Sequence, residues 1–250
     1  MPTSSPLRRT QRAPQGSIRL APLGDSAITV EFGDEIDPRI NACVVAFAAT
    51  VSQQGWKGIL EIVPTYRSVT IYFDTLHWNV SRLADRLKRL PRLRSDGIVP
   101  RSALQTIPVL YGGEWGPDLE EITAFAGLSP AQAIALHASV RYRVYMLGFS
   151  PGFPYLGLVP ERLAMPRLST PRTKVPAGAV GIADRQTGIY PSSTPGGWRL
   201  IGRTPISLYR KNSSTPFLLK AGDMVQFKSI DRAEFERLLD EAQRDDHRFK

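Results

Sequence analysis

The chain has 250 residues, of which 42% are hydrophobic and 22% charged, and its formal net charge is +9. This length accommodates one large domain or two small ones, the composition is that of a globular protein, and no apolar run approaches the roughly 20 residues of a membrane-spanning helix. The single cysteine, Cys43, excludes an intrachain disulfide, and the three histidines are too scattered for a metal motif, so no metal site is expected.

The first half of the chain predicts a tail and a small α+β unit. Residues 1–16 are polar and lack the apolar segment of a secretory signal, so we expect a disordered tail on a cytoplasmic protein that does not bind membranes. Over residues 17–100, short β-rich runs alternate with two helical patterns in the order ββαββα. This order predicts an α+β sandwich with both helices on one face of an antiparallel sheet. Residues 91–102 predict a linker.

Residues 104–230 predict a second domain that is mainly β. LQTIPVLY is typical of a strand, Asp118 is expected to cap a short helix, and Ser129 to Gln132 match a capping box for a helix that reaches His137. VRYRVYMLGF and the runs AVGIA, TGIYP, WRLIG, ISLYR and MVQFK predict short strands, as in a barrel or sandwich. Residues 231–250 predict a helical C-terminal tail.

The charge excess of the chain lies in one segment. Residues 141–211 hold eleven basic and two acidic residues, and the segment is also dense in glycine, proline and aromatic residues. Arginines among rigid apolar walls indicate a pocket for a small anionic ligand. The cations are spread among Pro and Gly and form no basic helix, zinc finger or RNA-binding strand motif, so we expect no nucleic-acid partner.

Two familiar catalytic patterns are excluded by their physical requirements. Residues 148–152 match the nucleophile pattern G-x-S-x-G, but Pro151 has no N–H to donate to an oxyanion, and the prolines that follow prevent the required helix. The chain also lacks a Gly-Lys-Ser/Thr phosphate loop and a G-x-G-x-x-G motif, so a standard nucleotide-binding loop is not expected.

Several long strings resemble one known family. IPVLYGGEWGPDLEEI, YRVYMLGFSPGFPYLG, TPRTKVPAGAVGI, QTGIYP and STPGGWRLIGRTP resemble the family of the 5-oxoprolinase B subunit, also called allophanate hydrolase subunit 1, KipI, or carboxyltransferase subdomains C and D. GDSAITVEFGDEI and GILEIVPTYRSVTIYFD resemble its N-terminal part. The resemblance covers about residues 17–230.

The resemblance implies a fold, a complex and a reaction. It implies a small α+β domain followed by a cyclophilin-like β-barrel, in a protein that is inactive alone. Its partners would be a homologous C subunit (allophanate hydrolase subunit 2-like) and a third, lactam-cleaving subunit, and the complex would open 5-oxoproline to glutamate with ATP. Which of the three polypeptides binds ATP stays open. The alternatives are a KipI-like inhibitor of a sensor histidine kinase and a carboxyltransferase-type subunit of urea or allophanate metabolism.

On this hypothesis the residues of the basic segment (141–211) form the site, at the mouth of the barrel. Arg172 and Lys174 are candidate catalytic residues, with exposed barrel charge as the alternative role. His137 is a candidate general acid or base, with a helix-end cation as the alternative. The candidate substrate-binding residues are cations, amide-binding groups and aromatic walls, and core packing is the alternative for the aromatic members. They are Arg143, Tyr145, Phe153, Tyr155, Gln186, Thr187, Tyr190, Trp198 and Arg203.

Overall fold

A computed structural model of the protein describes residues 18–91 and 103–248. The chain divides between residues 99 and 100 into two compact units, each with its own hydrophobic core. The predicted tail, residues 1–16, lies outside the described residues, as does the predicted linker apart from its first residue.

The first unit is an antiparallel sheet covered on one face by two helices. The strands pair in the order first, second, fourth, third. Ile28 and Ile71 of the two central strands share one buried cluster with Phe47 of the first helix and Leu83 of the second. The elements in chain order are β1 (Arg19–Leu23), β2 (Ala27–Glu31), α1 (Pro38–Gln53), β3 (Ile59–Pro64), β4 (Ser68–Phe73) and α2 (Val80–Lys88).

Two polar side chains determine where α1 begins and how it docks. The carboxylate of Asp37 accepts a hydrogen bond from a backbone N–H of the first turn, 2.6 Å away, and Pro38 takes the first helical position. One turn later, the buried amide of Asn41 donates to the backbone oxygens of Thr65, at 2.9 Å, and Tyr66, at 3.3 Å. Because these oxygens lie in the turn between β3 and β4, Asn41 ties the helix to the sheet.

The second unit is built on a closed barrel of seven strands. The strands of this unit, of which β8 and β11 lie outside the barrel, are in chain order β5 (Leu104–Tyr111), β6 (Arg141–Leu147), β7 (Pro154–Gly157), β8 (Arg172–Val175), β9 (Ala179–Ala183), β10 (Gln186–Ile189), β11 (Thr194–Gly196), β12 (Arg199–Arg203) and β13 (Met224–Ser229). The barrel order is β10-β7-β6-β13-β5-β12-β9, and β9 closes it by pairing with β10. Strands β13 and β5 are parallel neighbours. Strands β8 and β11 pair with each other as a separate sheet, which we call the arm.

Three helices accompany the barrel. They are α3 (Leu119–Ala126), α4 (Pro130–Ala138) and α5 (Arg232–Arg248). Helix α4 begins with the predicted capping box, since the backbone N–H of Gln132 donates to the Ser129 hydroxyl and the backbone N–H of Ser129 donates to the Gln132 amide oxygen. Helix α3 ends at Gly127, whose φ of 62° is left-handed and favours glycine.

The predicted α+β class, a small sandwich followed by a β-barrel, is confirmed. The barrel core consists of inward side chains of the strands with Leu119 and Ile122 of α3 and Ala133 of α4. Within the two described ranges, no helix has both the length and the apolar character needed to cross a bilayer.

The docking of α1 through Asn41 can be tested by substitution. We expect Asn41→Ala to lower the free energy of unfolding by about 1–3 kcal/mol, because it leaves two partly buried backbone oxygens without this donor. Urea unfolding of the full chain, followed by circular dichroism, measures the change. Gln53→Ala, at an exposed position of the same helix, is the control and should stay within about 0.5 kcal/mol of the wild type. Equal effects of the two substitutions would contradict the assignment.

Candidate functional site

Most of the predicted site residues lie on the outer face of the barrel. Val144, Leu156 and Ile182 are completely buried in the barrel core. Arg143 and Gly157, which are adjacent in sequence to Val144 and Leu156, therefore face the outside of the barrel, because successive residues of a strand alternate between its two faces. The outward residues of β6, β7, β10 and β9 therefore form a wall around the core, which we call the outer wall.

Four of the predicted aromatic residues meet on the outer wall. The ring centroid of Phe153 lies 5.0 Å from that of Tyr155, 5.1 Å from that of Tyr190 and 5.4 Å from that of Trp198. All three pairs are edge-to-face, which the ring quadrupoles favour. Gly188 makes room for this aromatic cluster, since a Cβ there would lie 2.9 Å from the Trp198 ring. The cluster also contains Val175, Ala179 and Leu200.

Burial separates the aromatic residues that can contact a ligand from those that cannot. Phe153, Tyr190 and Tyr145 are each 1% exposed, so they support the wall by packing. Tyr155 and Trp198 are partly exposed and present surface to solvent. The core-packing alternative therefore applies to the first three residues, whereas the last two pack against the same cluster and also keep an exposed surface.

A polar cluster lies beside these rings on the same wall. Arg143, Gly157 and Gln186 stand opposite one another on β6, β7 and β10. Because Gly157 has no side chain, the ring of Tyr145 can lie over it, and a Cβ there would come within 3.1 Å of that ring. Tyr155 precedes Gly157 by two residues and faces the same side. We call Arg143, Tyr145, Tyr155 and Gln186 the polar cluster.

The polar cluster contains a partly desolvated cation. Burial lowers the pKa of the Arg143 guanidinium, an effect that Tyr145 partly opposes, and an arginine still carries its charge at neutral pH. Burial raises the pKa of the Tyr155 phenol, which therefore stays protonated and able to donate a hydrogen bond. Guanidinium, phenol and amide groups together, in a partly dry environment, suit a small ligand that carries a carboxylate and an amide.

Arg172 is held in a structural ion pair. Its Nη2 donates to one carboxylate oxygen of Asp118 at 2.7 Å, and the other oxygen of Asp118 accepts from the backbone N–H of Leu200 at 2.6 Å. We call this arrangement the Asp118 clamp, and it joins the start of α3 to β12 and to the arm. Asp118 occupies the predicted N-cap position of α3, but its side chain makes no capping bond, because both of its oxygens are used by the clamp.

Two further arginines of the basic segment are also held by the protein itself. Arg199 pairs with Glu121 of α3. Arg203 donates to a backbone oxygen in the turn between β8 and β9 at 2.8 Å, and its guanidinium carbon lies 5.0 Å from the centre of the Trp115 ring. Burial lowers the pKa of the Arg203 guanidinium. These contacts fix the arginines as parts of the fold.

The expected cation-lined barrel mouth is not what the structure contains. Of the four predicted site cations, Arg143 belongs to the polar cluster, Arg172 and Arg203 are held in the structural contacts above, and Lys174 is exposed on the arm. The physical reason is that carboxylates and backbone oxygens of this chain satisfy the guanidinium donors. Sequence spacing does not reveal such partners.

His137 lies in the barrel core, away from the polar cluster. It is 1% exposed and stacks on Phe227 at a centroid distance of 4.6 Å. The buried hydroxyl of Thr187 donates to a backbone oxygen of β9, so it accepts from Nε2 of His137, and Nδ1 then accepts from the hydroxyl of Tyr111. Burial lowers the pKa of His137 to about 3. The neutral ring is thus fully hydrogen-bonded, and neither His137 nor Thr187 is placed to reach a substrate.

The remaining candidate features of the barrel unit hold no separate site. A cavity beside His137 measures about 10 Å³, which is room for no more than one water molecule. Residues 148–152 form a turn between β6 and β7, in which the backbone N–H of Ser150 donates to the oxygen of Gly148, so they make no nucleophile elbow. In the part of the chain that the structure describes, no group of three or more His, Cys, Asp or Glu residues could hold a metal ion.

The sequence of the chain matches a known protein family. Residues 18–219 match the family described as carboxyltransferase domain, subdomain C and D. The chain belongs to this family. It is 44% identical over 231 residues to the B subunit of 5-oxoprolinase from Bacillus subtilis (strain 168), a match that covers 88% of this chain and 96% of the relative. It is 47% identical over 172 residues to the B subunit of 5-oxoprolinase from Escherichia coli O157:H7, a match that covers 68% of this chain and 77% of the relative. The resemblance inferred from the strings is confirmed.

A solved structure shares the fold. The crystal structure of TTHA0988 is 38% identical to the chain with a TM-score of 0.74, and the match covers 83% of this chain and 40% of that one. The chain thus spans less than half the length of TTHA0988, whose polypeptide continues beyond the matching region.

The Asp118 clamp predicts a loss of stability when its charge is removed. We expect Asp118→Asn to lower the free energy of unfolding by about 1–3 kcal/mol, because the Arg172 guanidinium loses its counter-charge but stays partly solvated. Guanidinium chloride unfolding measures this change. The control is Glu120→Gln, an exposed acid two residues further on, for which we expect a change of less than about 0.5 kcal/mol. Wild-type stability of the Asp118 variant would rule out the clamp.

Burial of neutral His137 predicts a dependence of stability on pH. Below about pH 6.5 the unfolded imidazole takes up a proton, whereas the folded one, with its pKa near 3, does not. This group therefore makes its full contribution to stability above about pH 6.5. Below that value, the contribution decreases by up to about 1.4 kcal/mol for each pH unit by which the solution is acidified. Urea unfolding of the wild type and of His137→Gln between pH 7.5 and 4.5 tests this. The variant should show the shallower slope, and parallel slopes would count against a buried neutral ring.

Proposed function

We propose that the chain is part of an ATP-dependent 5-oxoprolinase complex and that Arg143, Tyr155 and Gln186 of its polar cluster bind 5-oxoproline. The names of the relatives with 44% and 47% identity support the complex. The observation that carries the substrate assignment is the placement of Arg143 and Gln186 opposite each other across Gly157 on the outer wall.

The polar cluster matches the substrate group by group. 5-Oxoproline is a small ring with a carboxylate and a lactam amide. The Arg143 guanidinium pairs with the carboxylate, and the Gln186 amide, with both a donor and an acceptor, pairs with the lactam amide. Tyr155 donates its phenol proton to an oxygen of the substrate and covers one side of the ring. The partly buried setting strengthens each of these interactions relative to water.

Opening the lactam ring needs an activating group that the polar cluster does not supply. The lactam is stabilised by resonance, so its carbonyl carbon must first be activated, which phosphorylation of the lactam oxygen by ATP would do with release of ADP. Water would then add to that carbon, the C–N bond would break as the nitrogen takes up a proton, and hydrolysis of the resulting acyl phosphate would release glutamate and phosphate. The sequence has no standard phosphate loop, and Arg172 and Arg203 are already held in structural contacts, so these residues within the described ranges do not fit a nucleotide site. We assign ATP binding to another polypeptide of the complex and expect the isolated chain to be inactive.

The proposed partners are those that the family resemblance implies. We propose that two further polypeptides, a homologous C subunit (allophanate hydrolase subunit 2-like) and a third, lactam-cleaving subunit, together complete the site against the outer wall. The longer polypeptide of TTHA0988 supports such an arrangement, since its matching region is joined to further chain.

The experiment is an assay of glutamate release from 5-oxoproline and ATP by the purified, co-expressed complex. We expect Arg143→Ala to lower kcat/KM about 10- to 100-fold, mainly through KM, because it removes a charged hydrogen-bonding partner of the carboxylate. Arg141→Ala, at an exposed arginine of the same strand, is the matched control and should behave as the wild type. No glutamate release by a verified wild-type complex would refute the proposed reaction, and wild-type kinetics of Arg143→Ala would refute the substrate site.

A further inference from the structure

The indole of Trp198 lies across the outer wall on a pair of glycines. Gly181 of β9 and Gly188 of β10 are directly paired. Both face outward, because their neighbours Ile182 and Thr187 are buried inside the barrel. A Cβ on Gly181 would lie 3.0 Å from the Cβ of Trp198, and a Cβ on Gly188 would lie 2.9 Å from its ring. A side chain at either glycine would therefore displace the indole, which spans two strands of the wall.

The indole is fixed in this position on the wall. Its ring centroid lies 5.4 Å from that of Phe153 and 5.8 Å from that of Tyr155, and both pairs are edge-to-face. The chain on either side is anchored as well, because the backbone oxygen of Gly197 and the guanidinium of Arg199 each form a hydrogen bond of 2.7 Å to the segment that precedes β8. Trp198 is partly exposed, so a rigid ring faces solvent here.

The indole stands beside the polar cluster, one step along the strands. Gly188 and Tyr155 are paired across β10 and β7, and Gln186 and Gly157 form another pair two residues away on the same face. Two residues of a strand span about 7 Å. The ring that covers Gly188 therefore lies about 7 Å along the wall from the level of Gln186.

This spacing leaves room for a single layer of ligand atoms. A ring atom in van der Waals contact with the indole lies about 3.5–4 Å from it, and a hydrogen bond to the amide of Gln186 or the guanidinium of Arg143 takes about 3 Å more. Together these two distances fill the gap. A five-membered lactam is nearly flat and fits such a layer, whereas a six-membered lactam carries an additional methylene that lies out of its ring plane.

We infer that Trp198 limits the substrate to a lactam with a five-membered ring. This inference rests on the proposed function and adds to it the residue that determines specificity for ring size. A methylene that does not fit its pocket changes discrimination by about 10- to 200-fold. We therefore expect the wild-type complex to prefer 5-oxoproline by such a factor over its six-membered homologue, 6-oxopiperidine-2-carboxylate.

The test compares kcat/KM of the co-expressed complex for the two lactams with ATP, and chromatography measures the products, glutamate and 2-aminoadipate. We expect Trp198→Ala to lower the preference for 5-oxoproline at least about tenfold, because the additional methylene enters the space that the indole leaves. Trp198→Phe, which keeps an aromatic ring in the cluster, should give an intermediate preference. Since the preference is a ratio measured on one preparation, it does not depend on the fraction of a variant that is folded.

Trp115→Ala is the matched control. Trp115 is a partly exposed tryptophan of the same unit, and its ring packs against that of Phe235 at a centroid distance of 5.3 Å, outside the aromatic cluster. Loss of this ring should leave the preference at the wild-type value. A lowered preference in the control would show that the ratio responds to any lost tryptophan, and it would overturn the assignment to Trp198.

Two further results would overturn the inference. One is equal use of the two lactams by the wild type. The other is a wild-type preference in both Trp198 variants, because a residue that only packs the wall would lower kcat/KM for both lactams alike.

Calorimetric titration of the complex with each lactam, without ATP, separates this inference from the proposed reaction. If the wild type releases no glutamate but binds 5-oxoproline more tightly than its homologue, and Trp198→Ala removes that difference, the ring-size limit stands and the reaction is wrong. If glutamate is released and the Trp198 variants keep the wild-type preference, the reaction stands and the role of Trp198 is wrong. A complex that binds neither lactam would refute both.

Discussion

The carboxylate of Asp118 holds together the parts of the barrel unit on which the candidate site depends. A buried carboxylate is unfavourable unless its oxygens accept hydrogen bonds, and Asp118 takes one from Arg172 and one from the backbone of β12. The arm is thereby fixed against the barrel with Val175 in place. Val175 packs in the same cluster as Phe153 and Tyr190, so the position of the aromatic rings depends on an ion pair formed 54 residues apart in sequence.

The positive charge of the basic segment serves several purposes at once. Arg172, Arg199 and Arg203 stabilise the fold, because each finds an acceptor within the chain. Arg143 supplies a partly desolvated cation on the outer wall. Arg210 and Lys211 are exposed to solvent. Net charge alone describes none of these roles, since the environment of each group decides what its charge does.

The two faces of the barrel have opposite character. Inside, even the polar residues His137 and Thr187 satisfy each other and their neighbours, which leaves a closed core with no chemistry to offer a ligand. Outside, Arg143 and Gln186 of the polar cluster lie beside the partly exposed rings of Tyr155 and Trp198.

The sequence by itself determined the ββαββα order of the first unit, the capping box at Ser129 and the family, because these follow from local periodicity, turn chemistry and long matching strings. In the barrel unit it missed β7, β8 and β11, and ISLYR forms only an isolated bridge at Tyr209 in place of the predicted strand. The sequence also pointed to the aromatic residues that meet around Phe153. It could not show that His137 turns inward, that Arg172 is taken by Asp118 or that Gly157 lets Tyr145 lie across the wall. Each of these depends on which distant strands become neighbours and in which register, and only the closed barrel decides that.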